Sequence, residues 1–146
     1  MYKKYLKLVN IADNLKDIPL LLIRLILARG FYEPAMIKMK NLDSVVEWFE
    51  GMNFPFPHIC AYLTGITELL GFILLAIGLG TRLISIPLII VMLVAIFTVH
   101  ISNGFAAGDN GYEIPLYYGI MLFTLLIYGP GRLSADYLIF RALNRK

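Results

Sequence analysis

The chain has 146 residues, of which 59% are hydrophobic and 16% charged, with a formal net charge of +3 and a single cysteine. A soluble domain carries about 25% charged residues, so this balance excludes a globular protein with an ordinary water-exposed surface. Nucleic-acid binding is excluded as the use of the positive charge, because Lys and Arg flank apolar runs, and Cys60 alone can form neither an internal disulfide nor a CxxC dithiol.

Hydrocarbon about 30 Å thick needs roughly 20 residues per crossing, so 146 residues hold four spans with short loops. The expected fold class is all-α integral membrane: one domain over 1–146, a four-transmembrane-helix bundle with interfacial amphipathic helices at both ends. Residues 1–17 put Tyr5, Leu8, Ala12 and Leu15 on one helical face and Lys3, Lys7, Asn10 and Asn14 elsewhere, which suits a helix lying on a membrane surface. This start has basic residues but no apolar core or small-residue cleavage site, so the first span is expected to direct insertion itself.

The first span is expected over 18–38. It opens with Pro19, where a missing N–H is harmless, and carries Arg24, Arg29 and Glu33. It can cross only if neighbouring helices cover those charges, and Pro34 is expected to bend or end its last turns. Residues 39–56 form a short amphipathic outer segment with Trp48 as an interfacial anchor. Leu, Ile and Phe dominate three further spans, 57–80, 83–101 and 112–129. The link at Gly80, Thr81 and Arg82 is short enough to make the second and third spans antiparallel neighbours, with Pro87 in the tolerated first turn of the third. The loop SNGFAAGDNG is turn chemistry, and Pro130 and Gly131 stop the fourth span before an interfacial tail over 132–146.

Lys and Arg counts set the orientation. Nine (Lys3, Lys4, Lys7, Lys16, Arg82, Arg132, Arg141, Arg145 and Lys146) fall on the side of the termini, against two (Lys38 and Lys40) on the other. Both termini are therefore expected in the cytoplasm, with 39–56 and SNGFAAGDNG facing the periplasm of a bacterium.

Charges in hydrocarbon cost about 2.5 to 3.5 kcal/mol each even on insertion scales, so those inside the spans need a reason. At about 1.5 Å per residue, Arg29 and Glu68 reach nearly one depth, which predicts a midplane ion pair. Glu33, Glu113 and His100 share a second level nearer the outer face, with Tyr117 one turn below Glu113. Arg29 and Glu33 lie on one helical face, whereas Arg24 points about 140° away and needs another partner or snorkels to the cytoplasmic interface. Thr64, Gly65, Gly71 and Gly78 share the face of Glu68, which turns that carboxyl toward protein. Two readings stand. One is a structural network that fixes helix order; the other is an outward-opening pocket of Arg29, Glu33, Glu68, His100, Glu113 and Tyr117 that binds a metal, relays protons or holds a quinone head group. Metal candidates are Glu33, His100 and Glu113, though no two show a metal-ligand spacing. His58 reads as a surface histidine and Cys60 as helix packing.

Arg24, the P-x-P-H start of the second span, Glu68 before LLG, G-x-G-T-R at Gly78 to Arg82, TVHISNGF at Thr98 to Phe105, GYE at Gly111 to Glu113, and GPGRLSAD at Gly129 to Asp136 occur in an order and spacing that resemble the DoxX family over about residues 18–138. RLILARGFYEPAMIKM is similar to the HvfX-like branch, found with copper-binding ribosomally made peptides. The resemblance implies a small four-helix inner-membrane protein. In various branches such proteins are associated with quinol oxidase or thiosulfate:quinone oxidoreductase complexes, thiol stress responses, or peptide-linked copper handling. It implies no agreed catalytic motif, and makes Arg24, Glu68, Arg82, His100, Asn103 and Glu113 family-pattern positions. Glu33 stands where many members have His or another residue, which sets this chain apart from histidine-ligated haem.

The leading functional expectation is an accessory inner-membrane subunit of a quinone-linked redox or copper-peptide maturation system. Quinone or copper would be the cofactor, and the bilayer, a redox or maturation protein and a second copy the partners. Alternatives are a small exporter or permease and a purely structural anchor.

Overall fold

The computed structural model describes residues 15–144, so the surface helix expected over 1–17 lies almost wholly outside the described residues. Helix α1 spans Asp17–Lys40 and is about 36 Å long at 1.5 Å per residue. Its buried residues, Arg24, Leu27, Ala28, Phe31 and Ala35, recur at intervals of three and four and form one stripe. Pro34 does not end this helix. It removes only the ladder bond to the Gly30 carbonyl, and six more helical residues follow.

Helix α2, Leu42–Gly51, folds back over the start of the next helix, burying Val46 and Phe49 against Ala61, while Trp48 stays half-exposed and meets Phe49 edge-on at 5.2 Å. Helix α3 is Pro57–Ile77, with Pro57 in the first turn where its missing N–H costs nothing. It stops short of the expected residue 80 because Gly78 takes a left-handed φ of +71°, and the Gly78 and Leu79 amides both donate to the Leu74 carbonyl at 2.8 and 2.9 Å. Its small residues allow close approach, and a Cβ on Gly71 would lie 2.8 Å from both Leu88 methyl carbons.

Helix α4, Thr81–Ala95, begins two residues before the expected 83, which puts Pro87 in its interior and not in its first turn. The helix then widens into a π turn at Ile96–His100 and tightens into a 3-10 turn at Ile101–Asn103, where the sequence predicts an unbroken span to 101. Helix α5 is Glu113–Tyr128 and helix α6 is Ala135–Leu143, the latter capped by the Ser134 hydroxyl, which accepts from the Tyr137 amide at 3.3 Å. The tail helix starts three residues later than expected because residues 129–134 form a turn against the bundle.

Helix α1 packs along α3, α4 packs along both α3 and α5, and a lighter α1–α5 contact closes the ring. Leu27, Phe31, Leu75, Leu88, Leu122 and Leu125 fill its centre. Outside, Leu22, Ile66, Ile73, Leu83, Ile90, Phe97, Ile120 and Phe123 are exposed, whereas Arg24, Glu68, Thr81 and Ser85 are buried inside. An apolar surface around a core that also buries charged side chains is the reverse of a water-soluble bundle and suits a lipid solvent. Among the described residues two stretches, Pro57–Ile77 and Thr81–Asn103, are long and apolar enough to cross a membrane; α5 is equally apolar but shorter.

Candidate functional site

Polar side chains gather at the two ends of the bundle. At the end carrying Asp17 and Gly78, the Arg24 guanidinium is fully buried and donates to the Leu75 carbonyl at 3.4 Å and to the Leu133 carbonyl. It therefore ties the last turn of α3 to the turn before α6, and does not snorkel. Gly78 leaves room for it, since a Cβ there would overlap Nη1 of Arg24. Asp136 accepts from the amides of Gly80 at 2.8 Å and Thr81 at 3.3 Å, capping α4 from a distant part of the chain. Its own amide donates to the Gly78 carbonyl at 3.1 Å. Arg82 donates to the Ile127 carbonyl at 3.0 Å, and the Arg132 amide donates to Asp17 at 2.8 Å. The Gly78–Arg82 and Gly129–Asp136 motifs are thus two halves of one clasp.

Midway along α3, Glu68 is buried, and the Lys38 ammonium reaches in from the other end of the bundle and donates to both of its oxygens, at 2.9 and 2.7 Å. Such a charge-assisted pair is short and strong, and it neutralises a carboxylate that lipid would not tolerate. Glu68 also lines a cavity of about 240 Å³ with His100, Tyr118, Phe31, Met92 and Pro115. His100 is the last residue of the π turn, a distortion that is frequent at functional sites. Its Nδ1 lies 2.7 Å from the Asn110 carbonyl, which can only accept, so Nδ1 carries a proton and Nε2 is the nitrogen left for a ligand, an acceptor when the ring is uncharged. Tyr118 stacks edge-on with Phe31 at 5.7 Å and lies against Gly30, where a Cβ would collide with its ring. The cavity wall thus offers a carboxylate held by a lysine, an imidazole and a phenol, set among apolar carbons.

The expected Arg29–Glu68 ion pair does not form: Lys38 takes Glu68, and Arg29 turns outward beside Glu33 at 3.8 Å, both side chains more than two-thirds exposed. Depth alone misassigned the pair because the lysine stem reaches inward from the helix end. Glu113 accepts from the Ala107 amide at 3.0 Å and from the Tyr117 hydroxyl at 3.1 Å, so it braces the 104–112 loop. Asn103 donates to the Asn110 carbonyl at 3.2 Å, beside His100. Among the described residues no three His, Cys, Asp or Glu side chains converge as a metal site, so Glu33, His100 and Glu113 form no common ligand set.

Of the expected site residues, the structure brings Glu68 and His100 to one cavity, groups His100 with Asn103 and Glu113 with Tyr117, and separates Arg24, Arg29 and Glu33 from these. Sequence reasoning missed Lys38, Tyr118, Asn110 and Asp136. Lys38 was legible only as a topology charge. Tyr118 adjoins Tyr117 in the sequence but points into the bundle.

An apolar-coated helical bundle with a lysine-neutralised carboxylate inside it is the architecture of a small membrane protein. More particularly, the chain belongs to the DoxX family, whose sequence profile matches residues 19–101. It is 34% identical over 133 residues to an uncharacterized protein of Haemophilus influenzae, a match covering 88% of each chain. It is also 27% identical over 89 residues to a Bacillus subtilis protein named "Putative oxidoreductase CatD", covering 61% of this chain and 65% of that one. No solved structure matches.

Proposed function

We propose that this chain is a multi-pass accessory subunit of a quinone-linked redox system in a bacterial inner membrane, and that the Glu68–His100–Tyr118 cavity receives a quinone head group. In this reading the chain is one membrane domain of four spans, α1, α3, α4 and α5, with α6 on the cytoplasmic surface, both termini cytoplasmic, and the cavity toward the periplasm. The observation that carries it is the chemistry of the cavity wall. The Tyr118 phenol can donate to a quinone carbonyl, the His100 Nε2 can accept from the hydroxyl of the corresponding quinol, and the buried Glu68–Lys38 pair lies beside them to take up or release a proton. At about 240 Å³ the cavity is smaller than the roughly 300–1,000 Å³ of drug-sized pockets, so it suits a single ring whose tail stays in lipid. The name of the Bacillus subtilis relative supports a redox association. The copper-peptide role of the HvfX-like branch has less support, because Glu33, His100 and Glu113 form no common ligand set.

A structural anchor is the second reading, favoured by the closed Lys38–Glu68 pair, which already satisfies the buried charge. Photolabelling native membranes with an azido-quinone decides between them. The quinone reading expects adducts on peptides containing residues 92–100 and 114–118, competed away by excess quinone and lost in His100→Ala. Uncompeted or absent labelling favours the anchor.

A further inference from the structure

The Arg29–Glu33 pair is the least explained feature of the molecule. Arg29 lies twelve residues from Asp17 and eleven from Lys40, at the middle of α1, where neither end of the helix is within snorkelling reach. Both side chains are more than two-thirds exposed, and their mutual distance of 3.8 Å is too long for a hydrogen bond. Around them runs an open groove of about 680 Å³ at the light α1–α5 contact, lined by Leu22, Leu25, Ile26, Pro34 and Tyr118. If α1 spans the membrane, as the function proposed above requires, two charges face hydrocarbon at its midplane, a placement that membrane helices avoid unless a partner covers it.

We infer that a second copy of this chain covers this face, with Arg29 of each copy paired to Glu33 of the other. Leu22, Ile26, Arg29 and Glu33 follow a 4-3-4 spacing, the seam along which parallel helices interlock, and Leu22 and Ile26 are 53% exposed. Two copies in one membrane share orientation and depth, so a two-fold axis along the membrane normal sets the same face of α1 against itself. The face is self-complementary in charge. Its acid and base are one helical turn apart, so each arginine meets the partner's carboxylate and no net charge is left in the interface. A partner helix of different sequence would have to supply its own acid and base at matching depth; a second copy brings them by symmetry.

The test uses the full chain in native membranes, with Cys60→Ser as background and Ile26→Cys as reporter. Oxidative cross-linking through position 26 is expected to give a dimer. Arg29→Glu or Glu33→Arg alone should abolish it, and the double swap Arg29→Glu with Glu33→Arg should restore it, a rescue that misfolding cannot mimic. No cross-linked dimer from the Ile26→Cys reporter chain, a dimer indifferent to single reversals, or a cross-link to a different protein would each overturn the inference. A separate Arg29→Cys chain tells its failure from that of the four-span reading. Labelling at position 29, in the same Cys60→Ser background, by a membrane-impermeant maleimide would refute α1 as a span; protection there, with no dimer from the Ile26→Cys chain, would refute the pairing alone.

Discussion

Lys38 reaches from near the end of α1 to hold both oxygens of Glu68 at 2.9 and 2.7 Å, so the one buried acid on α3 is neutralised by a side chain thirty residues earlier. Removing one partner of such a pair leaves a stranded charge, whereas removing both leaves ordinary packing. Lys38→Met is therefore expected to destabilise the folded bundle by about 3–5 kcal/mol, and Lys38→Met with Glu68→Leu by much less. Denaturant titration of the protein in mixed micelles measures both; equal losses would show that the pair is not the source of the effect.

Arg24 joins two carbonyls that no helix ladder can serve. Arg24→Met leaves both without this donor, the Leu75 carbonyl in the buried interior, at about 1.5–3 kcal/mol for each hydrogen bond to a charged donor. Arg24→Lys should recover less than half of the loss, because an ammonium lacks the planar fork that spans Leu75 and Leu133. The same titration reads this, and full recovery by lysine would contradict the bidentate geometry.

Gly78 and Gly80 are two residues apart and both have positive φ, +71° and +56°, yet they differ in surroundings. A Cβ at Gly80 meets open space, so Gly80→Ala should cost about 1–2 kcal/mol from backbone conformation alone. At Gly78 the added methyl also meets the Arg24 guanidinium and lies 2.7 Å from the Ser134 Cβ. Gly78→Ala should therefore lower the melting temperature clearly more than Gly80→Ala.

Asp136 caps α4 through space. Asp136→Ala is expected to cost about 0.5–2 kcal/mol, the usual range for a lost N-cap, and Asp136→Asn less, because its amide oxygen still accepts. Amide hydrogen exchange localises the effect: faster exchange at Gly80 and Thr81 is the expected signature.

The positions of α3, α4 and α5 were legible because long Leu/Ile runs between turn residues leave few alternatives. The burial of Glu68 could be read from Gly65 and Gly71 on its face, which let neighbouring helices close around it. Its partner could not, because assigning one by depth treats a side chain as a point on its helix and ignores the four-carbon reach of Lys38. The π turn that ends at His100 leaves no trace in a 3.6-residue period, so the sequence predicts a plain span there. The Gly129–Asp136 motif read as a helix stop and a surface tail, since the contact of Asp136 with Gly80 and Thr81 depends on how distant parts of the chain meet.

We propose that the cavity shared by Glu68, His100 and Tyr118 holds a quinone head group. Native mass spectrometry of gently purified protein, comparing wild type with Glu68→Gln and His100→Ala, tests it most directly. A quinone mass bound to the wild type and lost from both variants, each still folded, is the predicted result. A folded wild type with no quinone bound, or one whose quinone both variants retain, would contradict it.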